Sequence, residues 1–155
     1  MTFSHLDEQG KARMVDVSGK PDAAREAVAE GRVRMARETV ARIAEHGVEK
    51  GDVLAVGRLA GIMGAKETPR LIPLCHPVFT TAVEVELSLE EAAVRVQAMV
   101  RTVGKTGPEM EALTGVTVAC LAVYDMCKAV DKTLEITDVH LLRKTGGKSG
   151  TWERP

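Results

Sequence analysis

The sequence predicts an α+β fold in which a four-stranded antiparallel sheet carries its helices on one face, the split βαβ order called ferredoxin-like. Two segments, F-T-T-A-V-E-V-E-L-S-L at 79–89 and V-R-V-Q-A-M-V-R-T-V at 94–103, alternate apolar and polar residues and are joined by a short E-E-A-A turn. That is the pattern of a hairpin with one face on a core. A long apolar stretch of helical character separates this hairpin from a further strand-like segment. An alternating segment and two helical ones precede it. The order is therefore strand, two helices, strand, strand, helix, strand.

Length and composition agree with one domain over residues 1–155. The chain has 155 residues, 45% of them hydrophobic, enough for one sizeable core. Aromatic residues make up only 3%, so the core must be aliphatic, and the stacking platforms of single-stranded nucleic-acid binders are missing. A formal charge of -1 gives no global field to recruit nucleic acid or an anionic membrane. The first residues lack the basic-then-apolar pattern of a signal peptide, and no apolar run approaches the ~20 residues of a membrane span, so a cytoplasmic protein is expected. Three cysteines without a C-x-x-C pair argue against a disulfide framework. Four scattered histidines argue against a metal site.

Residues 1–22 read as an irregular N-terminal arm, since M-V-D-V-S-G-K-P-D is a short apolar pair followed by turn chemistry. Ala23 to Met35 alternates with period two, apart from slippage at Gly31, and predicts a strand. A helix is expected from Ala36 to Glu45, closed by Gly47. Asp52 then caps a second helix, V-L-A-V-G-R-L-A-G-I-M-G-A-K, ending before Pro69. Its Gly57, Gly61 and Gly64 each cost about 1 kcal/mol relative to Ala in a solvated helix, so their spacing predicts close packing against another backbone. In L-I-P-L-C-H-P two prolines hold Cys75 and His76 on a rigid extended loop. After the hairpin, Val103–Lys132 reads as one long buried helix. Thr106 and Glu109 have the spacing of a capping box, and Pro108 suits a first turn. L-E-I-T-D-V-H-L-L-R-K supplies the last strand, and the tail at 145–155 holds too much glycine for regular structure.

Asp125 and Lys128 lie three apart on one face of the long helix, inside the apolar run L-A-V-Y-D-M-C-K-A-V. They make either a salt bridge at a solvated edge or a site whose pKa values are shifted by apolar surroundings. Glu109 suits a helix start, whereas Glu111 is less easily explained there. His76 taken alone fits a structural histidine, and Lys50 and Lys66 fit surface lysines. Neither Gly147-Lys148-Ser149 nor Gly104-Lys105-Thr106 completes a P-loop, because Leu142 and Met99 stand where its first glycine belongs. Lys105, Lys144 and Lys148 among glycines can nonetheless hold an anion, the other reading of the tail being a loose end.

A series of motifs raises these readings. M-V-D-V-S at 14–18, K-G-D-V at 50–53, A-G-I-M-G-A-K at 60–66, L-I-P-L-C-H-P at 71–77, G-K-T-G-P-E-M-E-A-L-T at 104–114, Y-D-M-C-K-A-V at 124–130 and G-G-K-S-G at 146–150 together resemble the molybdenum-cofactor biosynthesis protein C family. The resemblance covers nearly the whole chain. It implies a reaction that rearranges a cyclised, reduced guanosine triphosphate to a pyranopterin with a cyclic phosphate, releasing diphosphate. It also implies a ferredoxin-like subunit in a hexamer of three dimers; since it places Glu111 and Asp125, roughly 21 Å apart along one helix, in the active site, either sites are shared between subunits or the triphosphate lies along a single helix. Motif by motif, substrate binding falls on Leu74, Cys75, His76, Met110 and Glu111, with Glu109, Lys66 and Lys148 added from the same motifs. Acid–base work falls on Asp125, and Lys50 and Lys128 match lysines that move protons or stabilise charge. Such chemistry needs proton transfers and neutralised phosphates but no redox cofactor; Mg2+ could arrive with the triphosphate. The competing class is a non-catalytic module that binds small anionic metabolites.

Overall fold

Alternation decides the sheet. The computed structural model describes residues 4–155; Phe3 and the two residues before it, the first of the expected arm, lie outside the described residues. The strands are β1 (Ala23–Arg34), β2 (Thr80–Glu90), β3 (Ala93–Gly104), β4 (Glu135–Thr145) and β5 (Trp152–Glu153), all antiparallel to their neighbours in the order β2-β3-β1-β4-β5. On β3 the even positions Val94, Val96, Ala98 and Val100 are fully buried and the odd ones carry Arg95, Gln97 and Arg101, as a sheet with one covered face requires. The helices are α1 (Arg37–Ala44), α2 (Val53–Leu71) and α3 (Glu109–Cys127). The side chains of α2 and α3 share one cluster with Ala27, Val33, Val85 and Val96 of the strands.

The sheet has five strands rather than four. The glycines of the tail are confined to 146–150, where Gly146, Gly147 and Gly150 take positive φ and turn the chain back. Trp152 and Glu153 then pair with Lys144 and Arg143, and Arg154 N donates to Leu142 O at 2.8 Å. The tail is thus a hairpin return to the sheet edge.

Helix boundaries differ from the sequence reading in three places. Thr106 does not cap α3: Pro108 stands at the N-cap without any side-chain cap, and the helix ends at Cys127, five residues short of Lys132. The second helix runs through Pro69 to Leu71, because a proline near the last turn forfeits only its own N–H bond. Gly47 is not the left-handed residue after α1. His46 takes that conformation (φ 54), and the N–H groups of His46 and Gly47 donate to Ile43 O and Arg42 O, a Schellman closure.

The two long helices meet through their glycines. A Cβ on Gly61 would lie 2.9 Å from Val85 Cγ1, 3.1 Å from Ala119 Cβ and 3.1 Å from the carbonyl oxygen of Gly115. Backbone therefore passes backbone, as the glycine spacing predicts, and the partner is α3 of the same subunit. Gly31, the point of slippage in β1, is also a close approach, since a Cβ there would lie 2.7 Å from Val116 of α3. Gly61→Leu should destabilise the fold by about 3 kcal/mol or more, overriding the ~1 kcal/mol that helix propensity returns. Denaturant unfolding checks it, and an unchanged midpoint would show the contact to be slack.

Packing also accounts for the length of α3. By length and composition this 19-residue helix could cross a membrane. Here Ala112, Val116, Ala119, Cys120 and Val123 are fully buried against sheet and α2, so it serves as the core helix. Cys75, Cys120 and Cys127 are free thiols.

Candidate active site

The N-terminal end of α3 gathers one set of the expected residues. The loop after α2 is not extended throughout as expected: it opens with a turn, Cys75 N donating to Ile72 O at 3.3 Å, and lays Leu74, Cys75 and His76 beside Met110 around a cleft of about 410 Å3. The arm closes the other side with Val15, Val17 and Lys20, and His76 Nε2 lies 2.6 Å from Val15 O. Behind Cys75 sits Glu111, only 1% exposed. Cys75 Sγ lies 3.9 Å from its Oε1, and Oε2 has no hydrogen-bond partner among the described residues. Burial, with the Glu109 charge adding, pushes the Glu111 carboxyl up to about 7. Burial and the same carboxyl push the Cys75 thiol up.

An uncharged Glu111 has a measurable consequence. Its folded pKa lies above the unfolded value, so the unfolded chain releases the proton first as pH rises and stability falls between about pH 4.5 and 7. Glu111→Gln keeps the neutral shape. It should leave stability near wild type at pH 5 and raise it by roughly 3 kcal/mol at pH 8, seen as a pH-dependent gain in Tm. Equal gains at both pH values would mean that Glu111 is not held neutral.

A second, polar cleft of about 270 Å3 adjoins the first through Lys20, Thr106 and Gly107. Arg25, Lys105 and Lys144 bring positive charge to it. Arg25 Nε donates to Gly104 O at 2.9 Å, Lys105 Nζ to Lys20 O at 2.8 Å, and Lys144 Nζ to Glu109 Oε1 at 3.2 Å. Glu109, expected in the capping box, is thus turned toward Lys144. Gly147 lies so close to the Arg25 guanidinium that a Cβ there would collide with it. Sequence reasoning missed Lys20 and Arg25. The signal was the register that sets Ala23 opposite Gly104, bringing the start of β1 to the lysines that follow β3. Lys148 is exposed in the 146–150 turn, and Lys66 lines a third cleft, of about 310 Å3, with Phe79 and Glu111.

The other end of α3 holds the remaining set. Asp125 lies in the last turn and Lys128 is the C-cap. Lys50 reaches them from the loop between α1 and α2, whose turn at Gly51 has φ 106. Lys128 Nζ lies 2.6 Å from Asp125 Oδ1, and Lys50 Nζ donates to Asp125 Oδ2 at 3.1 Å and to its backbone oxygen at 2.9 Å. The last bond satisfies a carbonyl that the helix end leaves without an intrahelical donor. All three side chains are about half exposed, so apolar surroundings do not set the Asp125 and Lys128 pKa values within this subunit. Their charges do: hydrogen bonds from Lys128 and Lys50 hold the Asp125 carboxyl low, and Asp125 holds the Lys128 ammonium up. The structure does not bring this set to the Cys75–Glu111 set, since 14 residues of helix rise, roughly 21 Å, part Glu111 from Asp125. No three His, Cys, Asp or Glu side chains converge as a metal-ligand set among the described residues.

Positions 14–147 match the model of the MoaC family. The chain is 60% identical over 153 residues to a cyclic pyranopterin monophosphate synthase of Cereibacter sphaeroides, covering 97% of this chain and 96% of that one. It is 54% identical over 154 residues to the protein so named from Peptoclostridium acidaminophilum, covering 99% and 98%. With that of Heliobacterium modesticaldum it shares 57% over 154 residues, covering 98% and 97%.

Proposed function

Because the chain belongs to the MoaC family, we infer that it is a cyclic pyranopterin monophosphate synthase of molybdenum cofactor biosynthesis, a lyase that converts a cyclised, reduced guanosine triphosphate to the cyclic pyranopterin monophosphate and diphosphate. One observation carries this reading: similarity above one half in identity extends over nearly the full length of chain and relatives alike.

The two clefts at the start of α3 suit the two halves of such a substrate. The apolar-lined cleft at Leu74, Cys75, His76 and Met110 takes the ring system. The lysines and Arg25 of the polar cleft neutralise the triphosphate, and Lys148 stands in the turn beside it. A Mg2+ ion is assigned to the triphosphate rather than to protein ligands. Closing the cyclic phosphate requires a substrate hydroxyl to attack the innermost phosphorus, giving up its proton while the bond to diphosphate breaks. Asp125, ionised, takes a proton. Lys128, held charged, gives one or stabilises the developing negative charge, and Lys50 shares that role.

The separation along α3 supports sites shared between subunits. One reacting centre cannot touch both ends of a straight helix, so each site takes the Cys75–Glu111 end from one subunit and the Lys50–Asp125–Lys128 end from another across a two-fold axis. The topology β2-β3-β1-β4 with two helices on one face is assigned to the ferredoxin-like arrangement, β5 being an addition at its edge. Val56, Leu59 and Met63 form an exposed apolar stripe on α2, 43%, 61% and 57% exposed, and this supports a hexamer built as three dimers. A soluble, cytoplasmic enzyme follows from the same reading.

Turnover is the test. The purified protein, supplied with the cyclised triphosphate, should release diphosphate and the cyclic monophosphate. Binding without release would replace the enzyme with an anion-binding module.

A further inference from the structure

The structure assigns Asp131 a positioning role: its carboxylate ties the end of α3 to the start of α1 and so sets Lys50 against Asp125, which meets Lys128 on its own helix end. This rests on the reading that these three groups form the reacting end of the site.

Asp131 follows α3 by four residues and is 6% exposed, an unusual place for a carboxylate that no cation touches. Hydrogen bonds account for it. Oδ2 accepts from Ala36 N at 2.9 Å and from Thr39 Oγ1 at 2.9 Å; Oδ1 accepts from Thr133 N and from Thr133 Oγ1, both at 2.7 Å. These four donors hold the carboxyl ionised, at about 2, against the cost of its burial. Ala36 is the N-cap of α1 and offers no side-chain cap of its own. Asp131 therefore caps α1 from another element, with its charge against the positive end of the helix dipole.

The contacts close a ring. From Asp131 the path runs through α1 to its His46 closure and the loop that carries Lys50. Lys50 bonds Asp125, six residues before Asp131 on the same segment. Within the ring, Val48 and Ile43 are the buried apolar anchors, 7% and 5% exposed. Among the described residues the half-exposed Lys50 has only its bonds to Asp125 to fix it, so its placement depends on the two backbones that carry the pair. Asp131 is the polar group that joins those backbones. The groups facing Asp125 are Lys50 and Lys128, and burial, with the Asp131 charge adding, pushes the Cys127 thiol up.

Asp131→Asn turns one accepting oxygen into a donor that must face another donor. Two readouts on the full-length protein test the role. First, kcat should fall ~10-fold or more with KM within about two-fold of wild type, as expected when reacting groups are misplaced while binding is kept. Second, the Asp125 carboxyl, followed by carbon NMR, should titrate nearer the ordinary range as Lys50 withdraws. Val100→Ala, a buried change on β3, supplies a comparably destabilised control in which Asp125 should titrate as in wild type. If Asp131→Asn does not fold, Thr39→Val, which removes one donor, should move both readouts the same way by less. An unshifted Asp125 titration in the folded variant overturns the proposal whatever the activity. Absence of turnover in wild type overturns the functional reading instead, and leaves the titration to decide the positioning.

Discussion

Lys128→Ala should lower kcat at saturating substrate by at least ~10²-fold, and Lys50→Ala by a similar factor, with little change in KM. Both lysines converge on one carboxylate, 2.6 Å and 3.1 Å away, at a solvated helix end where an ion pair alone contributes little to stability. Three charged groups in that arrangement have slight structural value, which supports a chemical role for them. Asp125 keeps Lys128 charged, which suits it to donate a proton or to stabilise negative charge on phosphate rather than to act as base. Acid pH should cooperate with the substitutions. Asp125 has its pKa lowered, so the cluster persists above the ordinary carboxylate range and comes apart only as pH falls through the depressed value. Steady-state kinetics with each variant checks the claim. A rise in KM with kcat intact would make the lysines binding groups only.

How far the sequence could be read depended on the kind of signal each element carries. The hairpin of β2 and β3 was legible because its alternation is strict. The α2–α3 contact was legible too, because Gly57, Gly61 and Gly64 weaken a helix unless a second backbone packs against the face they share. Trp152 and Glu153 were not legible as a strand: two residues carry no periodicity, and the glycines before them read as disorder until their positive φ values showed a turn. The capping box failed because Thr106 and Glu109 are spaced correctly, yet Pro108 lies between them at the N-cap and Glu109 finds Lys144 on β4. Spacing along one helix cannot register a partner that is 35 residues away. In the site, each candidate residue was named from its motif, and Lys50, Asp125 and Lys128 come together as one cluster. Its solvated setting was hidden, because an apolar run does not say which flank of a helix end faces out. Lys20, Arg25 and Asp131 were missed for the same reason as the pairing of Lys144 with Glu109: their partners lie on other elements.

The largest effect is expected from two inactive variants mixed together. Glu111→Ala and Asp125→Ala should each abolish most activity alone, since one removes the buried carboxyl of the first half-site and the other the centre of the second. In a mixed dimer with shared sites, one site carries both lesions and the other carries neither. Random exchange should therefore restore a substantial fraction of wild-type turnover. The alternative is a triphosphate substrate lying along the ~21 Å of a single α3, for which mixing changes nothing. The decisive measurement is diphosphate release from the two variants after subunit exchange, with exchange itself followed by a mass tag on one of them. Recovery of activity in step with the mixed species is the predicted result. Full exchange with no recovered activity would contradict the account, placing both ends of α3 in a site within one chain.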